Sequence, residues 1–245
     1  MTGNPTKTDS NKTNYNKQHT MKNILVVAPH CDDEILGCGG TMAKHIANGD
    51  TVFVAIVTNG HLGAPELLTK EGTEKVRSEA VKAHQLLGVQ ETFFLDYPAP
   101  RLDSIPSYKL SNTIALIIND KKIEVLYIPH RGDIHKDHRI TYEAALVAAR
   151  PINNSPVKKI LAYETLSETE WAPPFGDDAF IPTIFENIEG FIEKKKAAFQ
   201  CFSTQIKEFP HPRSLKTIEI LSNFRGATVG KHNVEAFMLI REIRD

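Results

Sequence analysis

The most restrictive feature of this chain is its alternation between short unbroken apolar runs and longer segments of helical periodicity. Short apolar runs are typical of parallel strands buried on both faces. They predict strands at residues 24–28, 52–57, 92–95, 125–128 and 160–163. Helical periodicity predicts helices at residues 40–47, 74–87, 107–118 and 137–149. This order predicts right-handed crossovers and an α/β fold, a Rossmann-like three-layer sandwich with a mainly parallel sheet.

The alternation stops after Glu164. Residues 165–183 contain a tryptophan, three prolines and two adjacent aspartates, which predicts a long loop. Beyond it we expect helices at residues 188–208 and 215–224, and a short closing strand at residues 236–240. The three consecutive lysines at 194–196 are expected on a solvated helix face.

Composition narrows the class of protein. A length of 245 residues with 41% hydrophobic residues allows one α/β domain with a sizeable core. The net charge of −1 provides no general attraction for nucleic acid. The three cysteines form no C-x-x-C pair, which favours a reducing, cytoplasmic setting. No apolar run is long enough to span a membrane, and the polar residues 1–21 are expected to be a disordered extension.

Histidines and carboxylates follow two of the predicted strands. The first cluster, PHCDDE, comes after the run at 24–28 and contains His30, Asp32, Asp33 and Glu34. The second cluster, HKDH, comes shortly after the run at 125–128 and contains His135, Asp137 and His138. Ligand sites of open α/β sheets form at the carboxyl ends of their strands. Imidazole nitrogens and carboxylate oxygens there predict a divalent metal site and a metal-dependent hydrolase.

Two simpler interpretations concern the first cluster. Its carboxylates are also suited to the first turn of a helix, where the macrodipole favours negative charge. The glycines that follow, at positions 37, 39 and 40, are compatible with a phosphate cradle but match neither G-x-G-x-x-G nor the Walker pattern. We expect these glycines to allow a close approach of strand and helix. The second cluster, at an equivalent strand end, favours a metal site over helix capping and over phosphate binding.

The two motifs together resemble the LmbE / PIG-L family of zinc-dependent N-acetylglucosaminyl de-N-acetylases. PHCDDE and PHRGDIHKDHR correspond to the family's A-H-P-D-D-E and H-x-D-H signatures. The resemblance covers residues 22–241 and includes the later motifs RSEA, PHPRS and RG. These later motifs favour the bacterial-type cytosolic branch. The resemblance implies that residues 22–245 form a single LmbE-like deacetylase domain.

The resemblance also implies roles for individual residues. The zinc ligands would be His30, Asp33 and His138. Asp32 would be the general base that activates water, and His135 a general acid or a stabiliser of the tetrahedral intermediate. Asp137 would orient a histidine. An N/O ligand set also admits Fe²⁺, cobalt or manganese.

Three further positions leave alternatives open. Cys31 stands where the family usually has proline, so the turn is less rigid, and a role as fourth ligand or nucleophile is a weaker alternative. Arg77 is expected to bind substrate, with an exposed helix salt bridge as the alternative. Asp133 is expected to contact substrate as well. His211 and Arg213 are expected to be structural or at the rim of the site.

We therefore predict removal of the N-acetyl group from an amino-sugar conjugate, with release of acetate. The alternatives are hydrolysis of another N-acyl amide, and a non-catalytic sugar- or nucleotide-binding module on the same fold. The expected partner is a small amino-sugar conjugate, with no nucleic acid, no membrane span and, by analogy with relatives, a homo-oligomer. The sequence leaves the aglycone open among malyl, inositol, lipid, nucleotide and polysaccharide groups.

Overall fold

The sheet of this protein contains all five of the predicted parallel strands and two more. The computed structural model describes residues 20–152 and 154–244, so the predicted extension at 1–21 lies almost wholly outside the described residues. The strands are β1 (Asn23–Ala28), β2 (Thr51–Asn59), β3 (Glu91–Pro98), β4 (Val125–Pro129), β5 (Lys159–Tyr163), β6 (Ile184–Asn187) and β7 (Val234–Glu242).

The strand order is β3-β2-β1-β4-β5-β7-β6. Strands β1 to β5 pair in parallel, whereas β7 runs antiparallel to both β5 and β6. The chain moves outward from β1 to β3 and then returns to the other side of β1 with β4. Strands β1 and β4 are therefore the neighbours at which the order reverses, and such a switch point creates a crevice at the carboxyl ends of the strands.

Helices cover both faces of the sheet. They are α1 (Asp33–Ala47), the short α2 (Gly60–Gly63), α3 (Lys70–Leu87), α4 (Ser107–Asp120), α5 (Lys136–Ala148), α6 (Ile192–Gln200) and α7 (Leu215–Ala227). Side chains alternate along β1, so Ile24 and Val26 join one buried core while Leu25 and Val27 join the other. The first core includes residues of α1, α3 and α6, and the second includes residues of α4 and α5. The predicted three-layer α/β architecture is confirmed.

Helix α1 begins seven residues before the predicted start at residue 40, directly at Asp33. Its glycines hid the true start because glycine has poor helix propensity. They allow close packing instead: a Cβ on Gly37 would lie 2.3 Å from the ring of Tyr163, and one on Gly40 2.6 Å from Ile188. The expected close approach of strand and helix is confirmed at Gly37, since Tyr163 belongs to β5.

The C-terminal third differs most from the sequence prediction. Strand β6 was not predicted, because its four residues contain no apolar run. Helix α6 is much shorter than the predicted 188–208. Lys195 is also not on a solvated face: it is buried, and its Nζ donates to Glu235 Oε1 at 2.6 Å and to the Leu36 carbonyl at 2.7 Å. These bonds attach α6 and β7 to the first turn of α1.

Every helix in the described part of the chain is too short or too polar to cross a bilayer.

Candidate metal centre and active site

The turn between β1 and α1 is fixed by its own carboxylates. The backbone N–H of His30 donates to Asp33 Oδ2 at 2.9 Å, and that of Asp32 donates to Glu34 Oε2 at 3.1 Å. Asp32 has φ 106°, in the left-handed region that residues with a Cβ rarely adopt. Its side chain makes no capping bond to α1. Such backbone strain is typical of functional turns.

The turn between β4 and α5 brings the second cluster to the same place. His135 precedes α5, and its Nδ1 accepts a hydrogen bond from the backbone N–H of Asp137 at 3.1 Å. The proton of a neutral His135 ring is therefore on Nε2. His138 lies in the first turn of α5 and is fully buried. Its ring centroid is 5.3 Å from that of His30, so the two strand ends meet as predicted.

Three potential ligand atoms converge at this junction. Asp33 Oδ2 lies 3.2 Å from His30 Nδ1 and 3.2 Å from His138 Nε2. One ligand atom from each of the three residues lies within 4.8 Å of the others. Asp33 Oδ1 and His138 Nε2 are buried without a hydrogen-bond partner. Buried polar atoms are normally satisfied, so these residues fit a divalent cation.

A second group of ligand atoms overlaps the first. His30, His135 and Asp137 also offer atoms within 4.8 Å of one another. Both oxygens of Asp137, however, are already engaged: Oδ2 lies 3.3 Å from His30 Nε2, and Oδ1 accepts from the Leu102 N–H at 3.2 Å. The first group is therefore the better candidate, and Asp137 holds the ring of His30 from behind, as a carboxylate that orients a histidine should.

Asp133 has the corresponding place behind His138. Its Oδ2 lies 2.8 Å from His138 Nδ1, and its Oδ1 accepts from the Thr169 hydroxyl at 2.6 Å. The side chain is fully buried and does not line the cavity beside the site. We predicted that Asp133 contacts substrate; its position behind a histidine replaces that prediction with an orienting role.

The electrostatics of the junction are dominated by histidine–carboxylate pairs. Burial alone would lower the pKa of His30, but its bonds to Asp137 and Asp33 raise it to about 9. Burial likewise opposes the charge of Asp33, yet the neighbouring His138 holds the pKa of this carboxyl well below its usual range. Asp33 is therefore a carboxylate, the form in which it can bind a cation.

Asp32 lies beside these groups at the cavity. It is 1% exposed, and its Oδ2 has no hydrogen-bond partner. Burial raises the pKa of Asp32 to about 8, although the nearby Arg213 guanidinium acts in the opposite direction. In its ionised form this carboxyl group can accept a proton from a reacting group.

Arg213 lies closer to the candidate site than the sequence interpretation implied. Its Nη1 lies 3.3 Å from Asp32 Oδ2, and its Nε and Nη1 donate to Ser167 Oγ and Gln205 Oε1 at 2.8 and 2.9 Å. We expected it to be structural or at the rim. The available signal was its place in the PHPRS motif, immediately before Ser214, which caps α7.

A cavity of about 390 Å³ opens next to the site. It is lined by His30, Asp32 and His135, together with Arg77 and Arg213. Burial and the nearby His30 lower the pKa of His135 to about 4, so its ring is neutral near pH 7.

Arg77 and Cys31 also line the cavity. The Arg77 guanidinium lies 4.7 Å above the ring of Phe94 and forms an ion pair with Asp96. Arg77 therefore lines the cavity and also forms a salt bridge from α3, as the two alternatives for this residue predicted separately. Burial and the charge of Glu34 raise the pKa of the Cys31 thiol well above its usual value. A protonated thiol is neither a good ligand nor a nucleophile, which argues against both alternatives for Cys31.

Comparison with known proteins agrees with this geometry. The model of the PIG-L family, described as GlcNAc-PI de-N-acetylase, matches residues 25–149, more than half of the chain and the part that contains both clusters. The chain belongs to the PIG-L family. The resemblance predicted from the two motifs is confirmed.

Relatives of this PIG-L family member include proteins named as deacetylases. The Escherichia coli K12 protein named uncharacterized deacetylase YaiS is 29% identical over 184 residues, which cover 73% of this chain and 89% of that protein. A Bacillus anthracis protein named probable N-acetyl-α-D-glucosaminyl L-malate deacetylase 2 is 23% identical over 192 residues, 75% of this chain and 81% of that protein. These similarities support a de-N-acetylase.

The fold is shared more widely. The crystal structure of GalB, the 4-carboxy-2-hydroxymuconate hydratase of Pseudomonas putida KT2440, has a TM-score of 0.74 and 20% sequence identity to this PIG-L family member. The superposition covers 92% of this chain and 98% of that one. It shows the common fold, and the fold alone does not select the reaction.

Proposed function

We propose that this protein is a metal-dependent hydrolase that removes the N-acetyl group from an amino-sugar conjugate and releases acetate. The observation that carries the proposal is the buried convergence of His30, Asp33 and His138 directly beside Asp32 and the cavity. Their unpartnered buried atoms support a cation, and Asp32 supplies a proton acceptor next to it.

His30, Asp33 and His138 would hold the metal, for which Zn²⁺ is the natural choice with this donor set and Fe²⁺ an alternative. When bound by three side chains, such a cation makes an attached water more acidic and polarises a carbonyl group. Asp137 and Asp133 fix the two histidine rings in the orientation that this binding requires.

Asp32 is proposed to accept the proton of the attacking water on Oδ2, which lies 3.3 Å from Arg213 Nη1. The water oxygen adds to the amide carbon, the C–N bond breaks, and the proton held by Asp32 passes to the amine nitrogen. His135 is proposed to donate a hydrogen bond from Nε2 to the oxyanion of the tetrahedral intermediate, because its Nδ1 already accepts from the Asp137 N–H. A neutral ring, which its pKa of about 4 favours, fits this stabilising role better than that of a general acid.

The alternatives to amino-sugar deacetylation are a non-catalytic binding module and hydrolysis of another N-acyl amide. A binding module would not need the strained turn that presents Asp32 or the paired carboxylates behind both histidines. Hydrolysis of a different N-acyl amide uses the same residues in the same roles. We favour the N-acetyl sugar because the family model and the named relatives point to it.

A cytoplasmic setting is part of the proposal, since the three cysteines are free thiols, the form that a reducing compartment maintains.

The proposal is tested with zinc-loaded and iron-loaded protein on a panel of N-acetyl sugar conjugates, with released primary amine and acetate both measured. Wild type should release the two in equal amounts, and Asp32→Asn should release neither at a comparable rate. A 4-carboxy-2-hydroxymuconate hydration assay serves as the contrasting reaction. Hydration without amide cleavage, or metal binding without any turnover, would overturn the proposal.

A further inference from the structure

The cavity beside the candidate centre has two chemically different sides. The side toward the strand ends carries His30, Asp32 and His135. The opposite side, which we call the apolar wall, consists of Ala64, Leu67, Leu68, Val76, Ala99 and Pro100. It is formed by the segment after α2, by α3 and by the turn after β3. A wall of this composition offers contact area to a ligand but no hydrogen bonds.

The neutral polar residues of the cavity already make hydrogen bonds within the protein. The Thr58 hydroxyl donates to the Pro29 carbonyl at 2.8 Å, and Thr73 Oγ1 accepts from the His61 N–H at 3.2 Å. Gln205 Oε1 accepts from Arg213 at 2.9 Å. Part of the hydrogen-bonding capacity of these groups is therefore engaged before a substrate binds.

The two arginines of the cavity are partly paired. Arg77 pairs with Asp96 and lies over Phe94, while its buried Nε has no hydrogen-bond partner. Arg213 lies 3.3 Å from Asp32 and 3.6 Å from Glu168. Nearby carboxyl groups therefore engage part of the hydrogen-bonding capacity of both arginines before a substrate binds.

The leucines of the apolar wall are exposed to water in this structure, whereas Ala64 and Ala99 are buried. Leu67 is 75% exposed and Leu68 is 46% exposed. Exposed apolar surface that continues into a pocket with polar catalytic groups is the usual form of a small-molecule site.

We propose that the substrate carries an uncharged apolar group that packs against the apolar wall, on the same molecule whose amide lies at Asp32. This inference rests on the proposed function and gives the substrate class: an N-acyl amino sugar with an alkyl or aryl substituent. The apolar group can be part of the aglycone or an extension of the acyl chain, and the two sources require different probes.

The first experiment compares kcat/KM of the metal-loaded enzyme within two matched pairs. Methyl and hexyl glycosides of N-acetylglucosamine test the aglycone, and N-acetyl and N-hexanoyl glucosamine test the acyl chain. In one of the two pairs, kcat/KM for the longer substrate should exceed that for the shorter one by about tenfold or more, because a few additional methylene groups are buried. Equal values in both pairs would overturn the inference, as would a preference for N-acetylglucosamine 1-phosphate over the methyl glycoside.

The second experiment assigns the preference to the wall. Leu67→Ser should remove most of it, because Leu67 lines the cavity, and Val76→Thr should reduce it by adding a hydroxyl group at nearly constant shape. Leu62→Ser is the matched control, since Leu62 is 56% exposed in the same segment but does not line the cavity. An equal loss in Leu62→Ser, or none in Leu67→Ser, would contradict the assignment.

Failure of this inference can be distinguished from failure of the proposed function. Binding of methyl and hexyl glucosaminides, the amine products, is measured by calorimetry on the same metal-loaded protein. Tighter binding of the hexyl compound that Leu67→Ser abolishes supports the wall even if no amide is cleaved. Cleavage of N-acetyl sugars with no preference in turnover or binding would leave the proposed function intact and overturn the inference.

Discussion

The parallel half of the sheet and the C-terminal third contribute to the candidate site in different ways. The parallel half supplies the reactive groups: His30 and Asp33 after β1, and His138 after β4. The C-terminal third supplies Thr169 behind Asp133, and Arg213 beside Asp32. The first set is positioned by turns at strand ends. The second set reaches the site from segments with little regular structure.

This difference indicates a division of labour. Residues at strand ends are fixed by the sheet, so their geometry survives changes elsewhere in the chain. Residues of the C-terminal third act through those groups, by holding a carboxylate or placing a charge. Changes in the parallel half should therefore abolish metal binding or chemistry, whereas changes in the C-terminal third should weaken them.

The largest effect is expected from Asp33→Ala. Asp33 lies between both histidines, and a site of three ligands cannot spare one, so bound metal and amide cleavage should both be lost. Metal content after dialysis, measured by elemental analysis, checks this. Cys31→Ser is the matched control in the same turn and should keep its metal. Full metal occupancy in Asp33→Ala would show that the ligands lie elsewhere.

The next effect separates chemistry from metal binding. Asp32→Asn preserves shape but cannot accept a proton, so kcat should fall by about two to four orders of magnitude. Metal content should match that of wild type, because Asp32 is not in the converging group. A change in KM with kcat near the wild-type value would remove Asp32 from the role of base.

The sequence predicted the parallel half well, together with α7 and β7, but it missed β6 and the loops that bring Thr169 and Arg213 to the site, for a physical reason. Buried strands such as β1 and β4 need continuous apolar residues, and the groups that follow them in the chain must lie at the sheet edge. Thr169 and Arg213 reach the site through loops, whose paths are set by tertiary contacts that leave no periodic trace. Lys195 likewise looked solvent-exposed, because its buried partner Glu235 is 40 residues away.

A smaller effect is expected for the residues behind His138. Asp133→Asn weakens the bond to His138 Nδ1, and metal affinity should fall by about 10- to 100-fold. Thr169→Val removes one hydrogen bond to Asp133 and should lower the metal affinity by less than Asp133→Asn does. Competition with a chelator of known affinity measures both. An effect of Thr169→Val equal to that of Asp33→Ala would contradict the division between the two regions.

The smallest effect is expected at Arg213, where the C-terminal third meets the chemistry directly. Arg213→Gln removes the charge 3.3 Å from Asp32 Oδ2, and kcat should fall by about tenfold, the scale of one charged contact, with metal content unchanged. Arg213→Lys retains the charge but loses the fork that holds Ser167 and Gln205, so it should recover part of kcat. If Arg213 only stabilised the fold, both variants would lose kcat to the same extent and would melt at a lower temperature than wild type. Partial rescue by lysine at an unchanged melting temperature is therefore the result that identifies Arg213 as a positioning residue for Asp32.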